Sequence, residues 1–384
     1  VTKHAAPADA VRSPDIDERL MDAALGLARR GWGETAPNPS VAALVVRFEG
    51  ETPIVLGRGR TAPGGRPHAE RRAIAQAGDA ARGATIYVTL EPCATRSVRD
   101  DGASCTDAIL AAGLARVVIG ATDPSLFASG EGTARLKAAG LDVRTGVRAA
   151  EARRVALGHI LRVSQHRPLV SLKMARTADG FAGTADGRQL MITGEISARH
   201  THLARSQSDA IMVGAGTQRG DDPKLNVRLA GLEHRSPIRV ILDSGLRTRP
   251  DAFVVRDAAR TPTWIFAGYG APQDLADPLS AAGVDVTRAL TDAKGRLSLT
   301  EVLSVLAARG VTRLMVEGGP TLAEALCDAD LVDELTLMTG PVAVGDGLPA
   351  IRPGLARWLG DARTAKVEEA AWGADRAEFF ERRR

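Results

Sequence analysis

The sequence predicts two α/β domains in series, and three observations carry that expectation. At 384 residues the chain is longer than one ordinary hydrophobic core supports. Runs rich in β-formers alternate with amphipathic runs of helical spacing in both halves. Between the halves, His166-Arg167-Pro168 interrupts a long helical pattern with a residue that cannot continue it. We therefore expect a disordered tail over 1–14, a first domain over 15–165 and a second over 166–384.

Composition narrows the class. Hydrophobic residues make up 44% and charged residues 25%, the balance of a soluble globular protein. Three cysteines are too few, and odd in number, for a disulfide framework, which points to a reducing compartment. No uninterrupted apolar run approaches the ~18 residues of a membrane span. The first fifteen residues lack the apolar core of a secretory signal. A cytoplasmic protein without a membrane partner is expected. The net charge of +4 suits phosphorylated small molecules, whereas 3% aromatics leaves little for stacking nucleic-acid bases, so no nucleic-acid partner is expected.

In the first half a helix is expected over 16–30 and strands over 41–46 and 54–57, followed by a glycine-rich loop over 57–67. Asn38, locked between Pro37 and Pro39, reads from local pattern as a turn residue. Residues 66–105 carry the sharpest chemistry. His68 opens a helix, Glu70 follows two residues later, a strand over 85–90 delivers Glu91-Pro92-Cys93, and Cys105 opens the next helix. One His and two Cys make three ligands for a tetrahedral zinc, with the fourth position left for water. Glu70 is then the proton shuttle, as in the H-x-E…P-C arrangement of zinc-dependent nucleobase deaminases. The competing reading, an incidental histidine with two core thiols, is disfavoured because two of only three cysteines fall where ligands are required. A strand over 116–121, a helix over 132–140, a strand over 141–144 and a helix over 151–165 complete the half.

The second half restarts with a strand over 169–175 and a turn at Thr177-Ala178-Asp179-Gly180. Helices are expected over 197–206, 300–309 and 321–327, and strands over 210–213, 238–242, 263–267 and 313–316. Two glycine-rich turns follow strands, at Gly214-Ala215-Gly216-Thr217 and Glu317-Gly318-Gly319-Pro320-Thr321. Each can turn backbone N–H groups toward a phosphate, though neither is a dinucleotide fingerprint, and a plain strand–turn–helix fits the spacing equally well. Asp221-Asp222-Pro223 reads as a turn rather than a cation site, and Cys327 as a core residue.

Taken together, the motifs resemble the bifunctional riboflavin-biosynthesis deaminase/reductases over nearly the whole chain. In the first half they are Pro37-Asn38-Pro39-Ser40-Val41, the run Gly57–Glu70 and Thr89-Leu90-Glu91-Pro92-Cys93. In the second they are Arg167–Ala175, Asp179-Gly180, Ile192-Thr193-Gly194, Ser208–Thr217, Asp221–Arg228, Val316–Leu322 and Leu331–Leu335. The resemblance implies a cytidine-deaminase-like three-layer α/β/α first domain and a dihydrofolate-reductase-like α/β second domain. It implies Zn2+ and NADPH as cofactors and phosphorylated pyrimidines as substrates. His68, Cys93 and Cys105 would hold zinc, with Glu70 catalytic. Ala175, Thr217, Asp221, Ser244, Gly319, Pro320 and Thr321 fall on the cofactor side. Asn38, Lys173, Gln189, Arg205, Leu225, Arg228 and Glu317 fall on the substrate side, with two arginines against a phosphate. A homo-oligomer is expected.

Two stretches depart from that pattern. Between the zinc cysteines the family usually reads close to S-H-x-G-[RK]-T-P-P, whereas this chain has ATRSVRDDGAS, which leaves Arg96 or Arg99 as the basic contact. Where the family often has S-x-W-I-T, this chain has Gln189-Leu190-Met191-Ile192-Thr193. The first departure keeps open a related enzyme acting on another pyrimidine or a pterin-like intermediate. A zinc-stabilised nucleotide binder without turnover is the other alternative.

Overall fold

A computed structural model describes residues 14–95, 103–186 and 190–383. Two compact units result, one of 1–31 with 35–164 and one of 32–34 with 165–384. The expected tail over 1–14 lies outside the described residues except for Pro14, which already belongs to the first helix.

The first unit runs α1 (Pro14–Arg29), β1 (Ala42–Glu49), β2 (Thr52–Arg60), α2 (Ala69–Ala77), β3 (Thr85–Leu90), α3 (Cys105–Ala111), β4 (Arg116–Ala121), α4 (Glu131–Ala138), β5 (Asp142–Thr145) and α5 (Ala149–Gln165). Its sheet has the order β2-β1-β3-β4-β5, antiparallel at β2-β1-β3 and parallel from β3 to β5. Every residue of β3 is buried, the near-continuous burial of a central strand covered on both faces. One face carries α1 and α5, since a side chain at Gly120 of β4 would meet Met21 and Ala152. The expected three layers are formed.

Residues 57–60 correct the sequence reading, which placed them in a glycine-rich loop. They continue β2, and the glycines let α2 lie directly on the strand. A Cβ at Gly57 would stand 2.1 Å from the Ala73 carbonyl oxygen, and one at Gly59 would stand 2.3 Å from that of Ala69. Because α2 begins at the His68-Ala69-Glu70 segment, this close approach sets where the functional helix starts. Gly59→Ala should therefore push α2 outward and destabilise the unit by about 1–3 kcal/mol, the usual cost of overpacking. Its thermal midpoint against that of the unaltered protein measures this.

The second unit runs β6 (Leu169–Arg176), β7 (Phe181–Thr184), α6 (Glu195–Ser206), β8 (Ala210–Gly214), α7 (Ala215–Asp221), β9 (Ile238–Leu242), α8 (Phe253–Arg256), β10 (Thr263–Gly268), α9 (Gln273–Ala281), β11 (Asp285–Ala289), α10 (Leu299–Ala308), β12 (Arg313–Val316), α11 (Pro320–Asp328), β13 (Glu334–Thr339), β14 (Gly347–Pro349), α12 (Pro353–Gly360), β15 (Thr364–Trp372) and β16 (Asp375–Arg382). Nine strands form one sheet in the order β11-β10-β9-β8-β12-β6-β13-β16-β15. It is parallel from β11 to β13 and antiparallel over its last two pairs. Apolar side chains of β6, β8, β9, β12 and β13 build one core with α10, α11 and α12, and Cys327 belongs to it. The Gly214–Thr217 stretch is not a free turn, because Ala215 already starts α7 with Gly214 as its cap.

Several sequence motifs are structural staples. Arg167 donates to both oxygens of Asp333, at 2.7 and 2.8 Å, which fastens the start of β6 beside β13. Asp209 accepts from the Thr312 hydroxyl and from the backbone N–H groups of Thr312 and Arg313, tying β8 to β12. Asp333 is buried and Asp209 half-buried, and both carboxylates are satisfied, so their presence needs no ligand.

Candidate active sites

In the first unit the close seat of α2 on β2 puts His68 at the helix N-cap, and β3 delivers Cys93 to the same place. Cys105 is the first residue of α3, whose start is fixed by a capping box between Ser104 and Asp107. His68 Nδ1 lies 3.3 Å from Cys105 Sγ and 3.9 Å from Cys93 Sγ, and the three donor atoms fall within 4.8 Å of one another. Tetrahedral zinc with ordinary Zn–S and Zn–N bonds separates its ligands by about 3.5–3.8 Å, so the donors present fit that ion. Among the described residues no fourth His, Cys, Asp or Glu joins the group.

Glu70 sits in the first turn of α2, 3% exposed, with its carboxyl in hydrogen-bonding contact with Cys105. Burial pushes that carboxyl up to about 7, against the opposing pull of His68. It therefore exchanges a proton near neutral pH, as a proton shuttle must. Cys93, which takes hydrogen bonds from Cys105 and His68, is held well below the usual thiol range, whereas Cys105 is pushed up by the same pairing and by burial. Asn38 donates its side-chain N–H to the Gly65 carbonyl at 2.8 Å, which ties the proline-flanked turn to the segment leading into His68. Arg96 and Arg99 lie outside the described residues.

In the second unit the carboxyl ends of adjacent parallel strands gather the other group of residues, where open α/β sheets place their ligands. Glu317 directly follows β12, and Arg205 from α6 grips it with two bonds, of 2.6 and 2.8 Å. Burial opposes the Glu317 charge, but the guanidinium prevails and holds the carboxyl below its ordinary range. Lys173 projects from β6; burial pushes its ammonium down, and Glu317 partly offsets this. Arg205 also donates to the Asn226 carbonyl, while Arg228 donates to the Asn226 side chain. The two arginines thus differ. Arg205 is buried with its nitrogens directed at protein oxygens, and Arg228 is exposed.

His202 was missed in the sequence. It lies one turn before Arg205 on α6, and its Nδ1 accepts the Arg228 backbone N–H at 3.3 Å. Burial, followed by the charges of Arg205 and Arg228, pushes it down to about 4, so it is neutral at physiological pH. The spacing of His202 and Arg205 on one helix face was the available signal.

The residues on the expected cofactor side are partly gathered. Gly319 caps α11 and Thr217 lies in the first turn of α7; a Cβ at Gly319 would come within 3.7 Å of the Thr217 hydroxyl. Two glycine-bordered helix starts thus follow the neighbouring strands β8 and β12. Pro320 and Thr321 open α11, and Thr321 accepts from Arg352. Ala175 lies two residues beyond Lys173 on the same face of β6. Ser244 follows β9, its carbonyl bonded to Gly268 N–H, and Asp221 ends α7, exposed. The neighbouring Asp222, which the sequence placed in a turn, follows α7 as its C-cap and accepts from Phe253 N–H at 2.9 Å.

Leu225 is 2% exposed and packed in a core with Ile211, Val213 and Ile241, so any ligand contact there falls to its main chain. Gln189 lies outside the described residues, and Met191 beside it is exposed.

Residues 14–121 match the cytidine and deoxycytidylate deaminase zinc-binding region, and residues 168–369 match the RibD C-terminal domain. The riboflavin biosynthesis protein RibD of Aquifex aeolicus is 36% identical over 96% of this chain and 99% of its own. The chain belongs to the RibD family. A RibD structure from Acinetobacter baumannii superposes with a TM-score of 0.81 at 29% identity, covering 96% of this chain and 99% of that one. The Thermotoga maritima RibD-type structure, described as a diaminohydroxyphosphoribosylaminopyrimidine deaminase/5-amino-6-(5-phosphoribosylamino)uracil reductase, has a TM-score of 0.80 at 30% identity, with 96% and 99% covered. Membership brings the two-part architecture, the riboflavin-biosynthesis role, the zinc-binding deaminase domain and the NADPH-type reductase domain. No helix of the described residues is long and apolar enough to cross a membrane.

Proposed function

We propose that residues 15–165 deaminate the diaminopyrimidinone that carries a phosphoribosylamino group, and that residues 166–384 then reduce its ribosyl group to ribityl phosphate with NADPH. The observation that carries the first half is Glu70, buried and protonatable, in contact with a three-donor His/Cys/Cys set that has no fourth protein ligand among the described residues. A structural zinc site is normally closed by four protein ligands, which disfavours a binder without turnover.

His68, Cys93 and Cys105 hold the zinc, which when bound supplies Lewis-acid activation of water. The Glu70 carboxylate takes a proton from the attacking water and returns it to the departing amine. Its burial raises the proton affinity above that of an exposed carboxylate, which favours taking up the proton.

In the reductase half the hydride chemistry belongs to the cofactor, and the protein supplies seats and charge. Ala175, Thr217, Asp221, Ser244 and the Gly319-Pro320-Thr321 helix start form the cofactor seat. Arg228, exposed, takes the substrate phosphate, with the Leu225 main chain and Gln189 alongside. Lys173 faces the ribosyl group as a proton donor at Nζ, and its lowered proton affinity makes release easier. Glu317 balances the charge of Lys173, and Arg205 holds Glu317 in place. Asn38 orients the pyrimidine in the first unit. A homo-oligomer in the cytoplasm is the expected working form.

Zinc-loaded protein incubated with the diaminopyrimidinone should release ammonia without NADPH and should oxidise NADPH only after deamination. Ammonia release without any later NADPH oxidation would remove the reductase assignment. Cys105→Ser should lower bound zinc from about one per chain and abolish ammonia release while leaving reduction of the deaminated substrate unchanged. Metal analysis together with the two assays measures this.

A further inference from the structure

We propose that Glu91, which is not a metal ligand, positions Cys93 for the metal by fastening the Pro92-Cys93 turn to the first turn of α4. The inference rests on the zinc reading above. Glu91 is 4% exposed and both of its carboxylate oxygens are engaged. Oε2 accepts from Gly130 N–H at 3.1 Å, while Oε1 accepts from Thr133 N–H at 3.1 Å and from the Thr133 hydroxyl at 2.8 Å. A buried carboxylate at the start of a helix, meeting otherwise unpaired N–H groups, makes charge-assisted bonds stronger than neutral ones. The helix also presses on the turn itself, since a Cβ at Gly132 would stand 2.3 Å from the Pro92 carbonyl oxygen.

The same segment grips the chain beyond Cys93. Ala94 N–H and Thr95 N–H both donate to the Phe127 carbonyl in the loop that leads into α4. Arg135 of α4 donates to the Ala94 carbonyl and, at 2.5 Å, to Asp107. Asp107 is the capping-box partner of Ser104, which fixes the start of α3 at Cys105. Thr106 completes the link by donating its hydroxyl to the Cys93 carbonyl at 3.0 Å. One block therefore holds the residue two before Cys93, the residue after it and the turn that carries Cys105. The spacing of the two sulfur ligands is set by this block, and Glu91 is its buried carboxyl group.

The test is cobalt(II) titration of zinc-stripped full-length protein, comparing the unaltered chain with Glu91→Gln and with the milder Thr133→Val. If Glu91 positions the ligand, Glu91→Gln weakens cobalt binding by at least about tenfold, the usual range for groups that orient metal ligands. Its thiolate-to-cobalt and ligand-field bands shift, Thr133→Val moves both readouts in the same direction by less, and reduction of the deaminated substrate is unchanged. Should Glu91→Gln leave the first unit unfolded, the Thr133→Val titration decides. Variants that melt earlier yet bind cobalt with unaltered affinity and spectrum would overturn the inference and leave Glu91 as a helix cap alone. Absence of thiolate bands in the unaltered protein would instead defeat the zinc reading, a distinct outcome.

Discussion

Glu70→Gln is expected to retain one zinc and to lower ammonia release by at least ~10²-fold, the low end of what a positioned acid–base group contributes. The amide fills the same space beside Cys105, so the His68–Cys93–Cys105 geometry is preserved and only proton exchange is lost. Metal content by mass spectrometry should match that of the unaltered protein. Reduction of deaminated substrate should also match it, because Glu70 belongs to the first compact unit and the reductase residues to the second. Ammonia release within a few-fold of normal would show that another group carries the proton. Among the described residues no other carboxylate is placed with the three donors, so that result would also call for a different view of the centre.

The parts of the fold legible in the sequence are those where chemistry and periodicity agree. β3 is a short apolar run ending in Glu91-Pro92-Cys93, and its bounds in the structure coincide with those expected. The clustering of His68, Cys93 and Cys105 was legible because their residue types are rare and the spacing a metal needs is chemically constrained. Glycines were harder. Gly57 and Gly59 signal a loop by local propensity, yet tertiary packing uses them as a flat strand surface for α2. The C-terminal hairpin of β15 and β16 went unread because β15 is an edge strand with its polar residues exposed, so it lacks the apolar alternation that marks a half-buried strand. Glu91 carries no local signal of its own, and His202 only its helical spacing from Arg205. Their partners lie far off in sequence, Glu91 with Thr133 and His202 with Arg228, and only the folded chain brings them together.

The pairing of Arg205 with Glu317 leads to the largest stability effect expected in the second unit. Glu317→Gln leaves the Arg205 guanidinium largely buried without its counter-charge and removes the carboxylate whose charge supports the Lys173 ammonium. Removing one member of a buried pair commonly costs about 3–5 kcal/mol. Denaturant unfolding of the second unit should show a loss of that order, and reduction should fail while deamination persists. Replacing both partners, as in Arg205→Met with Glu317→Gln, should recover part of the loss, because the Arg205 guanidinium is no longer left buried without its counter-charge, and only part, because Lys173 still lacks Glu317. The pH dependence carries its own sign. Arg205 holds the folded-state Glu317 carboxyl below its ordinary value of 4.5, so this contribution is fully present above that value. It disappears as pH falls through the lower folded-state value. The difference in unfolding free energy between the unaltered protein and Glu317→Gln should therefore shrink on acidification below that point. A difference that stayed constant down to full protonation would mean that Glu317 acts by shape rather than by charge, and the double replacement would then recover nothing.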